Sequence, residues 1–74
     1  MVMKQASKND LTSGKQIYFR GYIYNVLWVS ESRVKIVLPG HHPNSWVSPY
    51  PAGTYTIPAS WELPITHPEL YVMN

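Results

Sequence analysis

From Gln16 to Val29 the chain alternates in character. Odd positions hold Ile17, Phe19, Gly21, Ile23, Asn25, Leu27 and Val29; even positions hold Gln16, Tyr18, Arg20, Tyr22, Tyr24, Val26 and Trp28. A period of two in a segment rich in β-branched and aromatic residues predicts a strand, aliphatic on its core face and aromatic with an Arg on the other. The segment exceeds the usual strand length of about 5–6 residues. Gly21 is placed for a bend or bulge that lets one ribbon serve two sheets. A bulge there would swap the faces of Ile17 to Arg20, so the faces are taken from Tyr22 onward. After a turn at Ser30-Glu31-Ser32, Val34, Ile36 and Leu38 alternate with Arg33, Lys35 and Val37. A hairpin with a four-residue loop over Ser30 to Arg33 sets Val29 opposite Val34, Leu27 opposite Ile36 and Trp28 opposite Lys35. Leu27 and Ile36 then belong to the core, where truncation to Ala costs about 2–5 kcal/mol.

Beyond Leu38 the pattern changes. All seven prolines lie from Pro39 onward, and no Lys or Arg follows Lys35. Pro39 to Ser45 carries every turn signal and predicts a loop. Trp46-Val47 predicts a short edge strand, Gly53 to Ile57 another strand, and Leu70 to Met73 a last one. Pro58-Ala59-Ser60-Trp61 predicts a single tight helical turn, since Pro suits a first helical position. Thr66 to Glu69 has capping-box spacing, but too few residues follow for a helix. Residues 1–14 are polar and aperiodic, which predicts a flexible basic N-terminal arm carrying Lys4 and Lys8 before one domain over 15–74. Deletion of residues 1–13 is then expected to leave thermal stability intact.

The run Gly53-Thr-Tyr-Thr-Ile57-Pro58-Ala59-Ser60-Trp61-Glu62-Leu63 resembles the end of an SH3-type barrel. There a Gly-containing turn leads into a strand, a Pro opens a short helical turn, and an aromatic follows three positions later. Trp46 lies upstream roughly where such domains carry a groove tryptophan. The resemblance covers residues 46–63 and implies architecture only, because the Ala-Leu-Tyr-Asp-Tyr segment and acidic loop of proline-rich-peptide binders are missing. The expected fold is all-β, a small partly open five-stranded SH3-like barrel, with an OB-like barrel as the alternative.

Composition narrows the function classes. Hydrophobic residues make up 45% of the chain and charged residues 14%, which excludes a disordered polyelectrolyte tail. The absence of cysteine excludes a disulfide scaffold, a zinc ribbon and a thiol nucleophile. No apolar run reaches the roughly 20 residues of a helical membrane span, and the start does not lead into a signal-peptide core. The expectation is a cytoplasmic domain. About 60 folded residues are marginal alone, which favours association with a partner or a second copy.

The chemistry-bearing candidates are few. Tyr22, Tyr24 and Trp28, with Arg20, Arg33 and Lys35, would form an aromatic and basic sheet face, joined by Lys4 and Lys8 of the arm. Residues 1–35 carry a net +4 and residues 36–74 a net −2. Rings and cations together suit single-stranded RNA or DNA, whose bases stack while its phosphates are tracked. Tyr, Trp and Arg equally lead protein-interface hot spots, and the same rings could instead form a second core layer under the loops. His41, His42 and His67 lack the Cys or carboxylates that would complete a metal set, so no metal or cofactor is expected. The acids Asp10, Glu31, Glu62 and Glu69 show no pairing signature, and neither a nucleophile elbow nor a phosphate loop occurs. The expected function is therefore non-catalytic: a module that regulates or inhibits a larger protein by occupying its surface, within nucleic-acid machinery. Direct binding of single-stranded nucleic acid is the alternative. A sugar- or peptide-binding platform on Trp46 and Trp61 is a third.

Overall fold

The computed structural model describes residues 3–48 and 56–73. They are all-β, with a six-stranded antiparallel sheet and a two-stranded one. The strands are β1 (Met3–Gln5), β2 (Gln16–Phe19), β3 (Tyr22–Val29), β4 (Arg33–Val37), β5 (Trp46–Val47), β6 (Ile57–Pro58), β7 (Ser60–Pro64) and β8 (Leu70–Met73). Across the larger sheet the order is β1-β8-β2-β3-β4-β7, and β5 pairs with β6. That makes eight strands among the described residues where five were expected. Most of the strand predicted over Gly53 to Ile57 lies outside the described residues; its last residue, Ile57, is in β6.

The long predicted strand is a hairpin. Phe19 pairs with Tyr22 across a two-residue turn in which Arg20 and Gly21 both have positive φ, at 52° and 86°. Two left-handed residues match the twist of adjoining strands, and glycine adopts that conformation without steric cost. No neighbour lies within 4 Å of a Cβ built on Gly21, so replacement there is resisted by backbone conformation alone. Gly21→Ala is expected to cost about 1–2 kcal/mol, read as a lower urea midpoint at unchanged slope.

This turn inverts the faces expected of β3. Because Phe19 and Tyr22 are directly opposed, odd positions of β2 and even positions of β3 share one side. Ile17, Phe19, Tyr24 and Val26 are buried there, whereas Ile23 is exposed. A bulge then skips Leu27: Val26 pairs with Ile36, and the next pairs are Trp28 with Lys35 and Val29 with Val34. The extra residue returns Val29 to the core side and leaves Leu27 exposed. The predicted pairings at Val29 and Trp28 hold, and the Ser30 N–H donates to the Arg33 carbonyl at 2.8 Å to close the loop. Leu27 is not a core residue, and its truncation removes little buried area.

Two further expectations are corrected. Residues 3–11 are not an arm outside the domain. Met3, Lys4 and Gln5 pair with Met73, Val72 and Tyr71 of β8, and the Ala6 N–H donates to the Leu70 carbonyl at 2.7 Å. A 3-10 turn at Lys8–Asp10 then drops Leu11 into the core. Leu11, with Ala6, anchors an otherwise polar stretch to the core. Nor do Pro58 to Trp61 form the helical turn that the SH3 resemblance implies. Pro58 ends β6, Ala59 is a bend and Ser60 opens β7. Ala59 links the two sheets, its carbonyl accepting from the Leu38 N–H at 2.8 Å and its own N–H donating to the Ser45 carbonyl at 2.9 Å. The loop from Pro39 to Ser45 is as predicted, and Trp46–Val47 and Leu70–Met73 form the expected strands.

The core gathers on one side of the larger sheet: Ala6 and Leu11 from the N-terminal segment, Ile17, Phe19, Tyr24 and Val26 from β2–β3, Val34 and Ile36 from β4, Leu63 from β7, Leu70 and Val72 from β8. The sheet curls over them. Phe19 and Trp61 sit on strands with two others between them, yet their ring centroids are 5.6 Å apart.

Candidate functional site

One end of the curled sheet is an aromatic cluster. Tyr24 is 1% exposed, and its hydroxyl oxygen accepts the Trp61 indole N–H at 3.2 Å. Burial pushes the Tyr24 hydroxyl above the usual tyrosine range, with the Trp61 hydrogen bond acting in the opposite direction. Phe19 meets Tyr24, Trp61 and His67 edge to face, at 6.1, 5.6 and 5.3 Å. Arg20 lies over the Phe19 and Trp61 rings at 5.0 and 5.4 Å, and its Nε is 3.4 Å from the Glu69 carboxylate. Tyr22, half-buried, packs against the same core. Arg20, Tyr22 and Tyr24 therefore belong to a packed end of the molecule, and the proposed stack of Tyr22, Tyr24 and Trp28 on one accessible face does not form. Trp61 is engaged here too, by the Tyr24 hydroxyl, the Phe19 ring and Arg20.

The other end of β3 presents a surface. The bulge leaves two consecutive large apolar side chains in solvent, Leu27 at 41% and Trp28 at 38% exposure. Trp28 is paired across the sheet with Lys35, and Lys35 with Glu62. Arg33, on the same side as Lys35, donates from Nε to the Glu62 carboxylate at 3.1 Å and from its guanidinium to the Glu62 carbonyl at 3.3 Å. Lys15 adjoins the bulge, its carbonyl accepting the Val26 N–H at 2.8 Å. Lys8 stands at the rim of an open groove of about 480 Å³ between Lys8–Thr12 and Val29–Glu31. Lys4 is turned away into a pair with Asp10 at 3.7 Å. Hydrogen bonds from the Ser7 N–H and hydroxyl, with Lys4 beside it, hold the Asp10 carboxyl below the usual carboxylate range.

Charges divide along the same line. The ion pairs among the described residues are Lys4–Asp10, Arg20–Glu69 and Arg33–Glu62. Lys8, Lys15 and Lys35 have no carboxylate within ion-pair distance among the described residues, and Lys15 and Lys35 adjoin Leu27 and Trp28. Of the sequence-predicted site residues, Trp28, Arg33 and Lys35 are brought together; Lys8 lies at the groove, and Arg20, Tyr22, Tyr24 and Lys4 are engaged elsewhere. Leu27 is the member that sequence reasoning assigned to the interior. No periodicity signal marks a bulge whose bulged residue is itself apolar.

Gln5, Tyr71, Tyr18 and Ile23 are opposed in one row across β1, β8, β2 and β3. Trp46, on β5, is 68% exposed. Among the described residues no group of three or more His, Cys, Asp or Glu is placed to hold a metal ion, and no helix is long and apolar enough to cross a membrane. His41 and His42 sit in the 39–45 loop, while His67 packs on Phe19. No family model matches the chain, and no curated protein or solved structure does either.

Proposed function

We propose that this protein is a non-catalytic binding module that regulates a larger protein by covering part of its surface, with the contact centred on Leu27, Trp28 and Lys35. The observation that carries this reading is the β3 bulge, which leaves the consecutive residues Leu27 and Trp28 both exposed. A domain this small gains by burying such area only if something else covers it. Tryptophan is among the residues most enriched at interface hot spots. The neighbouring lysines favour a partner surface with acidic groups around an apolar centre. Single-stranded nucleic acid is the weaker reading, because Tyr24 is sealed inside and Tyr22 packs inward, leaving Trp28 as the one ring at the patch among the described residues.

Affinity capture with nuclease-treated lysate, comparing wild type with Trp28→Ala, tests this. The wild type is expected to retain a protein through the nuclease step. Trp28→Ala is expected to lose it by roughly thirtyfold in affinity, at the scale of a hot-spot residue, with its melting temperature little changed. Retention that disappears with nuclease, and that falls steeply between about 50 and 200 mM salt, would assign the patch to nucleic acid instead.

A further inference from the structure

Two turns outside the recognition patch share one arrangement. At His42-Pro43-Asn44 the Asn44 N–H donates to His42 Nδ1 at 3.1 Å, and at His67-Pro68-Glu69 the Glu69 N–H donates to His67 Nδ1 at the same distance. In each, the first side chain accepts from the amide two residues on, as Asn and Asp do in an Asx turn. An imidazole differs from a carboxamide in one respect. It accepts through Nδ1 only while that nitrogen carries no proton, and protonation sets N–H against N–H. Histidine is the side chain that ordinarily changes charge between about pH 5 and 8.

The His42 turn is held to β7 through its backbone, the Ser60 hydroxyl donating to the Pro43 carbonyl at 2.6 Å, whereas the His67 turn sets its ring on the core. The ring is half-buried against Phe19, with centroids 5.3 Å apart. Two residues on, Glu69 holds Arg20, which covers the Phe19 and Trp61 rings. The charged and titratable groups at this end are Arg20 from the β2–β3 turn, Tyr22 and Tyr24 from β3, and Glu69 from the turn itself. The Glu69 carboxylate is engaged by Arg20 at 3.4 Å. A proton on His67 therefore removes the acceptor of the Glu69 amide and adds positive charge at the end of the molecule that Arg20 occupies. The His42 bond belongs to an exposed loop with no charged side chain among residues 39–45.

We propose that the His67-Pro68-Glu69 turn is a proton-operated latch. Neutral His67 fixes Glu69, and through it Arg20, over the Phe19–Trp61 end of the sheet; protonated His67 releases them. This is independent of the patch at the opposite end of β3.

The test is an NMR titration of the full chain from pH 8 to 5, following the His67 ring, the Glu69 amide and the Trp61 indole N–H. The Glu69 amide is expected to lose protection by about two- to tenfold after correction for intrinsic exchange, the range set by one hydrogen bond. The loss should run in step with the His67 ring, and the Trp61 indole signal should shift over the same interval. In His67→Asn the carboxamide accepts at every pH, so both steps should vanish with the fold intact. His42→Asn should leave both steps unchanged. A Glu69 amide that stays protected while the His67 ring titrates overturns the latch in the wild type alone, whatever the variants do. So does the same step persisting in His67→Asn, or disappearing in His42→Asn.

Discussion

A chain starting at Gly14 is expected to unfold at temperatures where the full chain is native. The truncation removes β1 from the edge of β8, the hydrogen bond from the Ala6 N–H to the Leu70 carbonyl, and Leu11, which is 2% exposed. Losing a buried Leu side chain alone costs about 2–5 kcal/mol. Each lost backbone hydrogen bond adds on the order of 1 kcal/mol. A domain of this size has only about 4–11 kcal/mol in all, at roughly 0.05–0.15 kcal/mol per residue. Circular dichroism melts of the truncated and full chains decide the matter. Leu11→Ala should reproduce a large part of the effect with every strand residue present, which separates the core anchor from the strand pairing. An unchanged melting temperature in the truncated chain would mean that Met3–Leu11 packs on a domain complete without it.

Phe19→Ala is the point substitution with the largest expected effect, about 3–5 kcal/mol. Phe19 is fully buried and is the ring on which the other end-cluster members converge: Tyr24, Trp61 and His67 meet it edge-on, and Arg20 covers it. Its removal opens a cavity and takes away the surface on which Arg20 rests. Urea unfolding followed by tryptophan fluorescence measures the loss. Leu27→Ala provides the contrast, since a side chain already 41% exposed should shift the midpoint little. A comparable loss in both variants would mean that Leu27 is as much a core residue as the alternation of the sequence suggests.

That contrast shows where the sequence was legible. The Val29/Val34 end of the β3–β4 hairpin could be read directly, because β-branched residues alternate on both arms and a polar turn joins them. The β2–β3 turn could not, because Arg20 does not advertise a left-handed conformation and Gly21 alone suits a bulge as well as a tight turn. One two-residue turn reversed the parity of everything from Tyr22 to Val26, and the bulge at Leu27 reversed it again. Alternation, with its faces taken from Tyr22 onward, therefore gave correct faces at Trp28 and Val29 and inverted ones from Tyr22 to Leu27. The candidate site inherited both results: Trp28 and Lys35 stand where the pairing put them, while Tyr22 and Tyr24 moved inside. The N-terminal segment was opaque for another reason. A strand of Met, Lys and Gln at a sheet edge has no burial pattern, and Leu11 acts through a contact that no local window contains. Pro58 to Trp61 misled because a proline after a strand suits a helical start as well as a strand end.

The pairing of Met3 with Met73 joins residues at opposite extremes of the described chain. Contacts of such sequence separation form late, after the intervening loop has been closed. On the ribosome, β1 must wait for β8 before it has this neighbour, so the sheet cannot be completed until residue 73 has emerged. Until then the Met3–Gln5 ladder and the β2 edge that β8 will cover remain open to other chains, which makes the interval before β8 docks the period when this domain most needs protection from aggregation.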